Sequence, residues 1–296
     1  YAFDMSDAPA ARAGYLAWRE RKLASYQATA DDLRVELGSL AEPSPSEREA
    51  IAQRVAEFNM ALIAAPPHQV VPEAILSLGR ALGLRTADSN LFADQRAIST
   101  IAAGSADDRI DYIPYTDRPL SWHTDGYYNA PEAQVRAWML FCLRPAAAGG
   151  SNALLDPEIA YIHLRDQSPD LIRALMHPGA FTIPANVREG RVLRPERVGP
   201  VFSLQSGALH MRYSARSRNV SWRATPPTHA AREALDRLFS SATSYIFTHT
   251  LQAGEGLITN NILHNRSGFE DLPDPGRGRL LYRVRYLERI QCRNHF

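Results

Sequence analysis

Past Leu84 the chain stops offering long helical stretches and becomes a series of short apolar runs broken by Pro, Gly, Asp and Asn. Strands and tight turns need that punctuation, so it confines this part of the chain to a strand-rich fold. The run at 135–143 predicts a strand, and 181–184, 201–204, 208–211, 246–250, 256–263 and 280–287 predict others. Two helical patterns interrupt them, at 157–166 and, after Pro226-Pro227, at 228–242. Many short strands with few helical inserts point to a β-sandwich or jelly roll, mainly β with flanking helices.

Residues 8–64 read instead as helices. Leu33, Leu37 and Leu40 recur at helical spacing. Pro45 interrupts any single long helix, and Ser46 can cap a second one that continues through 50–62. Pro66-Pro67 is a stop. Pro72 opens a short helix over 73–82, ended by Gly83. We take 1–296 as a single domain, with 1–84 largely helical and 85–296 a strand-rich core. A hydrophobic fraction of 45% is ample for a packed interior. The net charge of +1 calls for neither nucleic acid nor an anionic membrane. Cys142 and Cys292 form no metal or redox pair, and a reducing compartment, the cytoplasm, is the simpler expectation. No apolar run is long enough to span a bilayer, and the first ten residues do not read as a secretion signal. Lys22 is the one lysine in the chain.

The chemistry concentrates in Trp122-His123-Thr124-Asp125-Gly126. In an extended strand, positions two apart point to one face, so His123 and Asp125 can converge on a single ion. A second histidine from a distant strand would complete a triad of two imidazoles and one carboxylate, which points to non-haem Fe(II). A His-x-Asp tripeptide alone is weak, since it also describes a loop histidine beside a solvated aspartate. His264 ends the largely apolar run 256–263 and fits the third place, although a lone histidine there also reads as a satisfied core residue. Further on, Arg279, Leu281, Arg283 and Arg285 share one face of a predicted strand. Three arginines on one face suit anions, and a buried guanidinium suits the far end of a dicarboxylate.

These segments together resemble the taurine dioxygenase-like family of 2-oxoglutarate oxygenases, related to clavaminate synthase. The match runs through Pro114-Tyr115 to Gly126, Gly149-Gly150-Ser151-Asn152, Ile258 to His264-Asn265-Arg266, and Arg279 to Arg285, within 112–286. A more distant likeness, to the glutarate hydroxylase branch, rests on Asp125-Gly126, the run from Gly149 to Leu155, Asn260-Asn261 and the arginine spacing. The resemblance implies a double-stranded β-helix, Fe(II) held by His123, Asp125 and His264, and 2-oxoglutarate and O2 as cosubstrates. It implies Arg279 as the partner of the distal 2-oxoglutarate carboxylate and Arg283 as a second arginine near the oxoacid or substrate. Asn152 stands where the family has Thr or Ser, and its amide can donate to a carboxylate. A carboxylate at Asp125 favours hydroxylation or another oxidation over halogenation.

For the substrate, Tyr127, Tyr128 and Asn129 follow the metal motif directly and are expected at the mouth of the site. The basic stretch Arg212 to Asn219, with Arg212 and Arg216, reads either as a surface loop or as a mobile cover that binds an anionic group. The expected partner is a small carboxylate, sulfonate or amino acid, with no nucleic acid and no membrane; a homo-oligomer stays open. Two other readings also stay open: a cupin-type metalloenzyme without 2-oxoglutarate, and a non-catalytic jelly-roll binding protein.

Overall fold

The computed structural model describes residues 2–27, 29–88, 93–103, 113–216, 220–272 and 276–291. It is a mixed helix and sheet architecture built on two sheets. We number their strands β1 (Arg34–Glu36), β2 (Met60–Ala64), β3 (Ile98–Ile101), β4 (Leu120–His123), β5 (Ala137–Arg144), β6 (Asn152–Leu155), β7 (Phe247–His249), β8 (Glu255–Thr259), β9 (Leu263–Arg266) and β10 (Leu280–Tyr286). The larger sheet has the order β1-β2-β8-β5-β10-β3 and the smaller the order β7-β6-β9-β4. All pairings in both are antiparallel except β1 with β2. Helices α1 (Pro9–Ala24), α2 (Pro45–Phe58), α3 (Pro72–Ala81), α4 (Pro157–Gln167), α5 (Pro169–Leu175) and α6 (Pro226–Ser240) pack around them.

The larger sheet is covered on both faces, and its central strands divide their side chains between two cores. Ala61, Met139, Phe141, Ile258, Val284 and Tyr286 pack with Ile51 and Val55 of α2 and Ile75 and Leu78 of α3. Met60, Trp138, Leu257 and Leu281 join Leu154 and Leu263 of the smaller sheet in the other core. Along β10 the two sets alternate, as a period-two strand requires.

The amino-terminal third departs from its sequence reading. Residues 34–36 and 60–64 are strands of the larger sheet, not helix. All five residues of β2 are buried, so no polar alternation marks it, and a buried strand and a buried helix then look alike in sequence. Helix α2 stops because Asn59 is left-handed, at φ 57°. Its amino-terminal cap is Ser44, not Ser46: Ser44 Oγ accepts from Glu47 N, and Glu47 Oε2 accepts from Ser44 N at 2.6 Å. Pro45 then occupies the first helical position, where its missing N–H costs nothing. The run 256–263 is also two strands, β8 and β9, separated at Asn260-Asn261.

A buried polar cluster ties distant segments together. Lys22 Nζ of α1 lies 2.6 Å from Asp156 and 2.7 Å from Glu158, and donates to the Glu57 carbonyl at 2.7 Å. Tyr26 and Asn59 also donate to Asp156, and Arg289 donates to Asn59. Burial opposes the charge on Lys22, but the two carboxylates outweigh it and raise its pKa. No described helix is long and apolar enough to cross a membrane.

Candidate metal centre

His123 of β4 and His264 of β9 are directly opposite partners in the antiparallel ladder, so their side chains leave one face together. Their ring centroids lie 4.2 Å apart. Each Nδ1 faces a carbonyl two residues back, His123 at 2.8 Å from Ser121 O and His264 at 3.1 Å from Ile262 O. A carbonyl only accepts, so each Nδ1 carries the proton and each Nε2 presents a lone pair. Burial, with His123 close by, pushes the His264 pKa down to about 3, which keeps that ring neutral.

Asp125 reaches the same point by a different route from the one the strand alternation predicts. Strand β4 ends at His123, and Asp125 sits in the turn beyond it. Its Oδ1 is 3.5 Å from His123 Nε2 and 3.8 Å from His264 Nε2, and the candidate donor atoms of all three residues lie within 4.8 Å of one another. Those distances are too long for hydrogen bonds. Asp125 Oδ2 is buried and, among the described residues, accepts no hydrogen bond of good geometry, its near neighbour being Arg283 Nη1. Burial opposes the carboxylate charge, but Arg283 at 3.2 Å, with His123, Arg285 and His264, outweighs it and holds the pKa well below the usual range. Two imidazoles with free lone pairs and one ionised carboxylate, two of the three residues buried and His264 half-buried, converge without bonding one another and fit a divalent cation of the iron type.

Beside the triad, Asn152, His264, Asp125, Arg279 and Arg283 line a cavity of about 40 Å³, room for a few waters. Arg279 is 7% exposed, and its guanidinium has no carboxylate partner among the described residues. Burial lowers its pKa, and it lies 5.0 Å over the Phe269 ring. A larger ligand needs side chains to shift here, and Arg283 is the one whose partner, Asp125, a cation would claim. Gly149 sets the approach to Asn152. Its φ is +74°, and a Cβ there would lie 2.4 Å from the Gly268 carbonyl, so only glycine lets the two backbones pair.

The expected substrate residues divide. Tyr127 stacks edge-on to His123 at 6.5 Å between centroids, and burial raises the pKa of its phenol against the opposing influence of Ser214 and Arg216. Tyr128 accepts from Arg285, which also pairs with Asp88, and Asn129 donates to Asp88 and the Ala133 carbonyl. Asn129 is therefore spent on the turn, and Arg285 on its own ion pair. Arg212 also corrects its sequence reading: its guanidinium donates to the carbonyls of Phe181, Gly199, Pro200 and Arg197, and it is 5% exposed. Nor is 212–215 a loose cover. Thr124 N donates to Tyr213 O and Ala215 N to Trp122 O, which lays this segment along β4. Residues 217–219, with Arg218, lie outside the described residues. Two cavity or ligand neighbours carry the family likeness in the sequence but are given no role there. Arg266 lines the cavity while holding the carbonyls of Thr116 and Arg118, and Asn261 bonds the Asp125 backbone. The Asn260-Asn261 doublet inside an apolar run is the signal for the second.

Comparisons with known proteins agree with this geometry. A family model described as "Taurine catabolism dioxygenase TauD, TfdA family" matches residues 20–285. A uridine-5'-phosphate dioxygenase from an Amycolatopsis species is 30% identical over 182 residues, covering 58% of this chain and 62% of its own length. One from a Streptomyces species is 32% identical over 182 residues, covering 57% and 62%. The match thus spans under two thirds of these curated relatives. Among solved structures, an asparagine oxygenase in complex with Fe(II), 3-hydroxyasparagine and succinate superposes with a TM-score of 0.57 at 16% identity, over 90% of each chain. The non-heme iron oxygenase OrfP gives 0.58 at 20% identity, over 83% of this chain and 82% of its own. At such identities the likeness shows a shared fold.

Proposed function

The chain belongs to the TauD, TfdA family of taurine catabolism dioxygenases, and from that premise we propose that it is a non-haem Fe(II), 2-oxoglutarate-dependent dioxygenase acting on a small anionic or amino-acid-like substrate. The observation that carries this reading is the convergence of His123, Asp125 and His264, with both imidazoles turned to offer Nε2. We read the two sheets as the halves of a double-stranded β-helix, within one domain spanning 1–296.

In this reading His123 and His264 give neutral nitrogens to the metal and Asp125 gives it charge. Arg279, buried and without a carboxylate partner among the described residues, takes the distal carboxylate of 2-oxoglutarate as a charge-assisted pair. Asn152 donates to the same cosubstrate, and Arg283 is freed for an anion once a cation neutralises Asp125. Bound there, Fe(II) and 2-oxoglutarate supply the activation of O2 and the oxidation of a C–H bond, with release of succinate and CO2. Tyr127 and Arg216 lie on the His123 side and offer a phenol and a positive charge to the substrate. The relatives' names support a substrate of this kind, since they include uridine-5'-phosphate and asparagine.

The test is succinate release by the protein with Fe(II), 2-oxoglutarate and O2, against small carboxylates, sulfonates, amino acids and nucleoside 5'-phosphates. Release above the substrate-free rate with one class is expected. Turnover that needs no 2-oxoglutarate would favour a cupin-type enzyme. A protein that binds Fe(II) but never consumes 2-oxoglutarate would be a binding module.

A further inference from the structure

Asp125 lies beyond the last ladder pair of β4, so the sheet does not fix its backbone. Asn261 supplies what the sheet lacks. Its Oδ1 accepts from Asp125 N–H at 2.8 Å, and its Nδ2 donates to Asp125 O at 2.9 Å and to Val135 O at 2.7 Å. A carboxamide that accepts from and donates to one residue reproduces the pairing of a neighbouring strand. Asn261 is 2% exposed and holds φ +56°, a left-handed conformation that asparagine tolerates better than most residues. Its own N–H donates to Thr259 Oγ1 at 3.1 Å. Three residues later the chain reaches His264, so the turn that delivers the second histidine also holds the carboxylate.

Asn260 provides a contrast inside the same turn. It is also buried, and its carboxamide likewise bonds a backbone N–H and C=O, but those of Ile290, at 2.9 and 3.2 Å, away from the triad. We infer that Asn261 is a positioning residue for the metal, a side-chain replacement for a missing strand partner that fixes Asp125 against the two histidines. The inference rests on the metal-binding reading above and adds a residue that does not itself touch the ion.

Co(II) titration calorimetry without 2-oxoglutarate tests it on wild type, Asn261→Gly and Asn260→Ala. Glycine keeps the positive φ and removes all three side-chain bonds. Asn261→Gly should raise the Co(II) Kd about 10–100-fold, the usual cost of losing a partner that orients a ligand. Asn260→Ala should leave the Kd within about twofold, as an uncoupled site does, although both variants lower the unfolding midpoint. If the glycine variant does not fold, Asn261→Asp reads the same quantity. It keeps the acceptor for Asp125 N–H but turns a carboxylate oxygen toward two carbonyls, and the same weakening is expected. A folded Asn261 variant with the wild-type Kd overturns the inference, as does equal weakening in Asn260→Ala. Wild type that binds no Co(II) overturns the metal reading instead.

Discussion

At the residue scale, the site is set by which polar groups are left with something to give. Arg279, Arg212 and Arg266 are all buried, yet Arg212 and Arg266 spend their guanidiniums on backbone carbonyls, while Arg279 lines the cavity with no carboxylate paired to it among the described residues. Arg279→Ala should therefore raise the 2-oxoglutarate concentration needed for half-saturation by about tenfold or more, the worth of one charge-assisted pair, with Co(II) affinity retained. Unchanged 2-oxoglutarate affinity would move the role to Arg283. His210 makes a separate prediction. Burial, reinforced by Arg289, Arg136 and Arg212, pushes its pKa down to about 3 from an ordinary 6.5. Between those values the unfolded chain binds a proton that the folded one refuses, so stability is complete above about 6.5 and falls as pH drops. The slope for one proton cannot exceed about 1.4 kcal/mol per pH unit. Denaturant melts across pH 7 to 4 should show a shallower decline in His210→Gln than in wild type; parallel curves would place the acid sensitivity elsewhere. In the sequence, spacing points to His123 with Asp125, whereas the roles of His264 and Arg279 come from the family resemblance. The split among arginines was not legible, because a guanidinium meeting a carbonyl and one awaiting an anion are the same letter in sequence.

At the scale of elements, what could be read depended on whether a segment keeps a polar side. Strand β10 was legible because arginines alternate with apolar residues along it. Strand β2, Met-Ala-Leu-Ile-Ala, was not, because both of its faces are buried and periodicity vanishes. The continuous run 256–263 concealed a turn for the same reason, and only the asparagine doublet interrupts it. Asp125 converges on the histidines although it lies outside the strand whose alternation predicts it, so the expected juxtaposition followed from an incomplete premise. Capping gives a direct measure of how local rules act here. Ser44 and Glu47 satisfy each other's backbone N–H groups at the start of α2. Ser44→Ala should cost about 1 kcal/mol in urea unfolding, with an unchanged m-value, whereas Ser46→Ala should cost little. Equal losses would mean that the cap contributes through packing alone.

At the scale of the whole molecule, the Lys22 cluster joins α1, the end of α2, the start of α4 and the carboxy-terminal segment that carries Arg289. Leaving its two carboxylates without their cation costs about 3–5 kcal/mol for a buried pair, so the ammonium stays where it is while the protein is folded. Because this is the only lysine in the sequence, and its side chain is 6% exposed, the native surface of this chain presents no lysine amine to an acylating reagent. An N-hydroxysuccinimide ester should leave Lys22 unmodified in the folded protein and acylate it after denaturation, with the adduct mapped to Lys22 by mass spectrometry. A native protein whose Lys22 is acylated as fast as that of the denatured chain would show that the cluster opens freely. Otherwise the one lysine is a built-in reporter, and the appearance of its label serves as a clock for unfolding.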